Sequence, residues 1–257
     1  MVTMVTSRKN RTVQMFRNPH EKLFVVEGEK LISEALEAGL KPQAILAAPK
    51  QTSIAIFRKL VGKCTALIIS ESISEYVSDT KSPQGLFALF AKQHANINFG
   101  NAHRLILLDG IRDPGNVGAV LRSCEAFGIE GAVLSDRSAD MFGGKVVRAA
   151  AGSTFRLPML RECLESVIPK LKKFGFAVWA ADLDADAVKI QNADFSGKCA
   201  IVIGSEGQGV SESVKAICDG KVYIPIRGAE SLNAAVAAGI MCYELGKANS
   251  FCGIVAD

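Results

Sequence analysis

LLDGIRDPGNVGAVLRSCEAFGI, residues 107–129, starts as a buried strand, breaks at Asp-Pro-Gly-Asn and resumes as a helix. Pro114 fixes φ and Gly115 tolerates a positive φ, so the chain reverses within the corner. Asn116 is a favourable N-cap for the helix that follows. Val117, Val120, Leu121, Cys124 and Phe127 form its apolar stripe, with Arg122 almost opposite. That position predicts a solvent-exposed arginine. Long helical side chains also lean toward the N-terminus, and Gly118 stands four residues back, so the guanidinium is within reach of Asn116 and the corner. Exposed surface and a place in a corner site are both open.

Strand and helix patterns alternate through the rest of this half. Strands are expected at 104–109, 131–135, 176–181, 199–203 and 221–225, and helices at 116–128, 144–151, 161–174, 211–218 and 231–247. RLILLDG and CAIVIGSEG are continuous apolar runs, as strands buried on both faces should be. The alternation predicts an α/β fold, a parallel sheet covered on both faces. The first half is a smaller α/β unit. LFVVEG (23–28), AILAA (44–48), ALIIS (66–70) and SPQGLFALFA (82–91) read as strands. EKLISEALEAGL places Leu31, Ile32, Ala35 and Leu36 on one helical face and closes at Gly39. The polar stretch 93–103 carries no periodicity and reads as a linker, giving domains at 1–98 and 99–257.

The 257 residues are 49% hydrophobic and 22% charged, enough for one large or two ordinary domains. No apolar run reaches the ~18 residues that span a bilayer, and the opening twenty residues hold no secretory h-region. Seven cysteines without a C-x-x-C pair suggest reduced, buried thiols and a cytoplasmic protein. His20, His94 and His103 sit at no ligand spacing, so no metal is expected. Net charge is +4, unevenly placed: residues 1–98 hold 13 Lys and Arg against 8 Asp and Glu, and residues 99–257 hold 17 against 18. Arg8, Lys9, Arg11 and Arg17 have no acidic neighbour in the opening twenty residues. They suit a nucleic-acid grip in the N-terminal half, or an ordinary solvated tail.

Ligands of parallel sheets sit at the carboxyl ends of the strands, and two more corners stand out there. IVIGSEGQGVS (201–211) has Gly204, Gly207 and Gly209 after a buried strand, so a ligand can approach the backbone. It is neither a dinucleotide fingerprint nor a P-loop, and Glu206 would repel phosphate. A simple glycine turn also explains it. In VYIPIRGAESLNAAVAAGIMCYELGKA (222–248), Ser231 reads as the cap of a helix whose first turn holds Asn233. Its Ala and Gly residues suit tight packing against a core or a second subunit.

Taken in order, DGIRDPGNVGAVLRS, IVIGSEGQGVS and IPIRGAESLNAAVAAGIMCYE resemble the three signature motifs of the SpoU/TrmH branch of the SPOUT RNA methyltransferases. KVVRAAAGSTFRLP (145–158) is similar to the stretch between the first two. LFVVEGEKLISEAL and SPQGLFALF resemble the N-terminal substrate-binding domain of that family. The resemblance covers nearly the whole chain. It implies a trefoil-knotted C-terminal α/β domain preceded by a small ribosomal-protein-like RNA-binding domain. It further implies methyl transfer from S-adenosylmethionine to a ribose 2′-hydroxyl of RNA, with ribosomal RNA favoured over tRNA, by a homodimer paired through the C-terminal domain. Carried over residue by residue, Asn116, Arg122, Glu206, Ser231 and Asn233 fall on catalytic or site-shaping positions. Gly204, Ile224 and Leu232 fall on cofactor positions, and Gly207 and Gly209 of the same loop are taken as cofactor-binding with them. Arg8, Lys9, Arg11 and Arg17 would meet RNA. The alternatives are a tRNA 2′-O-methyltransferase, a catalytically inactive RNA-binding relative and, from another class, a nicotinamide oxidoreductase. The last lacks the dinucleotide fingerprint.

Overall fold

The computed structural model describes residues 4–92, 96–228 and 231–247. His94 and Cys252 lie outside them. Packing divides the chain into two units, and the division does not follow chain order. The N-terminal residues group with Phe142–Phe155, and the remainder forms the second unit.

In the first unit β1 (Met4–Val5), β2 (Leu23–Glu27), β3 (Pro42–Ala47), β4 (Thr65–Ile69) and β5 (Leu86–Ala91) make a mixed sheet of order β1-β4-β3-β5-β2. Helices α1 (Arg11–Arg17), α2 (Glu29–Glu37), α3 (Ala55–Leu60) and α4 (Glu71–Val77) connect them. Val13 and Phe16 of α1 and Ile73 and Val77 of α4 close a core over Leu46, Ile69, Phe87 and Leu89. Helix α2 ends as its sequence requires. Gly39 takes a positive φ, its N–H bonds the carbonyl of Leu36, and the Leu40 N–H bonds that of Ala35, both at 3.0 Å. Arg8, Lys9, Arg11 and Arg17 are all exposed. Arg8 and Arg17 lie 4.9 and 5.7 Å from the centre of the Tyr76 ring, and Arg17 pairs with Asp79 at 3.1 Å. The acidic partner absent from the opening twenty residues comes from a distant loop.

The second unit is a seven-stranded, wholly parallel sheet. Its strands are β6 (Arg104–Asp109), β7 (Gly131–Leu134), β8 (Met159–Arg161), β9 (Phe176–Ala181), β10 (Val188–Lys189), β11 (Lys198–Gly204) and β12 (Gly220–Tyr223), in the order β10-β12-β9-β11-β6-β7-β8. Every residue of β6 is buried, as its unbroken apolar run predicts. From β6 the chain moves one way through β7 to β8, then crosses to the other side of β11. That reversal puts the switch point between β6 and β11, where open α/β sheets hold ligands. Register sets Asp109 beside Gly204 at the carboxyl ends of these two strands.

Helices α5 (Pro114–Ala126), α7 (Leu164–Lys173), α8 (Glu212–Lys215) and α9 (Ala234–Lys247) serve this sheet, while α6 (Gly144–Ala150) belongs with the first unit. Three sequence expectations change. The α5 cap is Asp113, whose carboxylate accepts the Asn116 N–H at 2.9 Å, because Pro114 occupies the first helical position. The helix expected at 161–174 starts only at Leu164, since Arg161 completes the short edge strand β8. Asn233, not Ser231, caps α9: its side-chain oxygen accepts the N–H groups of Ala235 and Val236. The thiols are also less uniform than expected, with Cys163 exposed and Cys64 and Cys218 half-buried. No described helix is long and apolar enough to cross a membrane.

Candidate active site

Two basins open at the carboxyl ends of β6 and β11 and share one wall. The first, about 360 Å³, is polar. Asp109–Asp113, Asn116, Arg137, Gly207, Gln208 and Ser211 line it. The second, about 190 Å³, is largely apolar. Leu183, Ile203, Gly204, Val222, Ile224, Ile226, Leu232 and Met241 line it, with Asp182 and Ser231 among its polar groups. Ser205, Glu206, Gly209 and Ala234 border both.

The shared wall is a glycine loop folded against its own strand. The Gly209 N–H bonds the Ser205 carbonyl at 2.8 Å, closing a small antiparallel bridge. A Cβ on Gly204 would lie 1.9 Å from the carbonyl carbon of Gly209 and 2.1 Å from the nitrogen of Val210. Gly204 is bare so that its own loop can lie on it, a use the sequence does not distinguish from ligand approach. Gly209 needs its positive φ of 64°, whereas a side chain at Gly207 would meet nothing within 4 Å.

Glu206, at the tip of this loop, joins the three corners. Its Oε1 accepts from Asn116 Nδ2 at 2.9 Å, from Asn233 Nδ2 at 2.5 Å and from the Ala234 N–H at 3.2 Å. Asn233 Nδ2 also lies 3.1 Å from Asn116 Oδ1. The acceptor thus meets a cluster of neutral donors at the start of α9, where the helix dipole favours a carboxylate. Asn116 lines the polar basin and Ser231 the apolar one. Arg122 is exposed on α5 and lines neither.

Two carboxylates went unnoticed in the sequence, and one signal would have found both. Asp109 ends β6 and Asp182 follows β9, each an acid at the carboxyl end of an apolar strand. Asp109 is buried. Its Oδ1 accepts from Arg137 at 2.9 Å, and its Oδ2 from the Ser211 N–H and hydroxyl at 2.8 and 2.6 Å. Asp182 pairs with Lys215 at 2.6 Å. Hydrogen bonds from Lys215 to Asp182 and then Glu212 raise the lysine above its ordinary pKa.

The apolar basin suits a ligand that presents an apolar face between strand ends, and the polar basin suits a hydrated, charged one. Comparison with known proteins identifies the family. The pattern described as SpoU rRNA Methylase family matches residues 103–243, and that of the MRM3-like substrate binding domain matches residues 6–88. The 23S rRNA (guanosine(2553)-2′-O)-methyltransferase RlmP of Bacillus subtilis (strain 168) is 34% identical over 249 residues, covering 94% of this chain and 98% of its own. The crystal structure of an AdoMet-bound rRNA methyltransferase from Sinorhizobium meliloti superposes with a TM-score of 0.84 at 28% identity, over 96% of this chain and 98% of that one. The SpoU methyltransferase AviRb from Streptomyces viridochromogenes, in complex with AdoMet, shares the fold with a TM-score of 0.81 at 24% identity, over 94% of this chain and 98% of that one.

Proposed function

The chain belongs to the SpoU rRNA methylase family and is an S-adenosylmethionine-dependent RNA ribose-2′-O-methyltransferase, and we propose that its two basins divide the reaction between them. The apolar basin takes the cofactor, and the polar basin takes the target nucleotide of a large-subunit ribosomal RNA. The shared wall carries this reading: Glu206 borders both basins and holds Asn116 and Asn233 at their junction. Bound there, the cofactor supplies an electrophilic methyl group on a sulfonium.

Gly204, Ile224 and Leu232 hold it through backbone and apolar contact, and Gly209 fixes the loop. Gly207 faces the substrate side. Asn116, Glu206 and Asn233 keep the wall in one geometry, so that the 2′-oxygen meets the methyl in line, and positioning supplies much of the rate. The Arg122 guanidinium stabilises the alkoxide as it develops or holds a neighbouring phosphate, and the hydroxyl proton passes to solvent water as the methyl leaves the sulfonium. Because Arg122 lines neither basin, a second copy is needed to bring it to one. The exposed side chains of Val236 and Tyr243, two turns apart on α9, with Phe127 edge-on to Tyr243, support a homodimer on this face. The division of labour places RNA capture in residues 1–98, through Arg8, Lys9, Arg11 and Arg17, and catalysis in residues 99–257. With this reading go the family's knot and a cytoplasmic location.

The test is transfer of labelled methyl to unmodified 23S ribosomal RNA and to tRNA, by the native protein, Glu206→Ala and Arg122→Ala. Label on a ribose 2′-oxygen of the ribosomal RNA, lost in both variants, is the expected result. Label confined to tRNA would overturn the substrate, and label unchanged in Arg122→Ala would return that residue to exposed surface.

A further inference from the structure

The polar basin holds a cation whose placement is over-determined. Arg137 follows β7 in a loop fastened at several points. The Ser138 hydroxyl bonds the Leu108 carbonyl at 3.1 Å, and the Gly110 N–H bonds the Ser135 hydroxyl at 2.9 Å. Arg161 spans the loop from outside, donating to the carbonyls of Asp136, Ser138 and Ala139 at 2.6 to 3.3 Å. The Arg137 side chain itself is drawn to Asp109, which is 3% exposed, while Arg137 remains largely exposed at the basin wall. Burying a carboxylate is costly and yields little net stability against an exposed partner. What the pair does yield is position. Only one Arg137 N–H bond is made among the described residues, to Asp109, and a guanidinium has five such donors in a planar fork.

We propose that Arg137, held by buried Asp109, is the subsite for a phosphodiester flanking the target ribose. The proposal rests on the assignment of the polar basin to the RNA. A fork with four open donors matches two phosphate oxygens bidentately. Arg112 lines the same basin and adds a second positive charge. Three carboxylates line it, and each has a donor: Asp109 accepts from Arg137 and Ser211, Asp113 accepts the Asn116 N–H, and Glu206 gives one oxygen to the asparagine cluster. Asp109 is a positioning residue, acting through Arg137. Because Asp109 also fastens Ser211, and Gly204 is its register partner, the phosphate subsite and the methyl-transfer wall are built on one point of the sheet.

Arg137→Gln, Arg137→Lys and Asp109→Asn test this in the full-length protein, with unmodified 23S ribosomal RNA transcript and with S-adenosylmethionine. Arg137→Gln is expected to raise KM for RNA about tenfold, as loss of a charge-assisted bond requires, with cofactor affinity within twofold. The slope of log affinity for RNA against log salt should fall by about 0.7 to 0.9, the loss of one phosphate contact. Arg137→Lys should keep that slope and regain part of the affinity. Asp109→Asn should raise KM while keeping the full slope, because the charge remains but is no longer aimed. An unchanged slope in Arg137→Gln overturns the proposal. So does a tenfold loss of cofactor affinity at constant RNA affinity, which would move Arg137 to the cofactor carboxylate. The salt slope needs no turnover, so absence of methyl transfer would strike the assignment of function while the slope still decides the role of Arg137.

Discussion

Replacing the three loop glycines one at a time with alanine separates what each is for. At Gly204 the new methyl would stand 1.9, 2.0 and 2.1 Å from backbone atoms of Gly209 and Val210. Ordinary contact begins near 3.4 Å, so the loop must retreat by about 1.5 Å, and backbone cannot rotate away as a side chain would. Overpacking of this kind costs about 1–3 kcal/mol, and loss of the Gly209–Ser205 hydrogen bond adds about 1 kcal/mol. At about 2–4 °C per kcal/mol, the melting temperature should fall by about 8 °C. Glu206 moves with the loop, so cofactor affinity should drop at least tenfold. Gly209→Ala has open space but keeps a left-handed φ, which costs about 1 kcal/mol. Gly207→Ala meets neither obstacle and should stay within about 0.5 kcal/mol of the native protein. Thermal unfolding by circular dichroism and cofactor titration by calorimetry read all three. If Gly204→Ala melts with the native protein, or Gly207→Ala proves the worst, the loop does not lie on its own strand as described.

Further outcomes follow from other parts of the fold. Arg104, buried at the start of β6, donates to the carbonyls of His103, Phe195, Gly197 and Leu245 and pairs with no carboxylate among the described residues. Arg104→Met strands several of these acceptors and should cost about 3 kcal/mol or more in urea unfolding, with amide protection lost first at the end of α9. Ala151 is the single described non-glycine residue with positive φ, at 49°, so Ala151→Gly should gain about 0.5–1 kcal/mol. Lys215→Met should lower the urea midpoint at neutral pH. The native lysine pKa is raised above its ordinary 10.5, so its contribution is full below that pH and fades as pH climbs through the higher folded value. The gap between variant and native protein should therefore hold to about pH 10 and narrow beyond it.

Much of the architecture was legible because the signals are local. The apolar runs of β6 and β11 mark central strands, and the three corner motifs come together as their order along parallel strands requires. Caps were less legible. Asn116 and Ser231 are reasonable caps by residue type, yet Pro114 at the first helical position favours Asp113, and Asn233 lies two residues closer to its helix. The two-residue β10 and three-residue β8 are too short to leave a period. Asp109 and Arg137 escaped for another reason. Their partners stand 28 and 102 residues away in the chain, and a terminal Asp on an apolar strand looks like the start of a loop. The grouping of Phe142–Phe155 with the N-terminal residues leaves no mark in composition at all.

The position of β6 also bears on how the chain is made. One neighbour, β7, follows within thirty residues or so, but β11 comes about ninety residues later, a long-range pairing of the kind that slows folding. The Phe195, Gly197 and Leu245 carbonyls that satisfy Arg104 trail it by 91, 93 and 141 positions. On a translating ribosome this interval lasts on the order of ten seconds. Throughout it the nascent chain carries an apolar strand with one bare edge and a cation that lacks three of its four carbonyl acceptors. Such an edge invites pairing with the wrong strand, so chaperone demand should peak as residues 104–134 emerge and end only after α9 is synthesised.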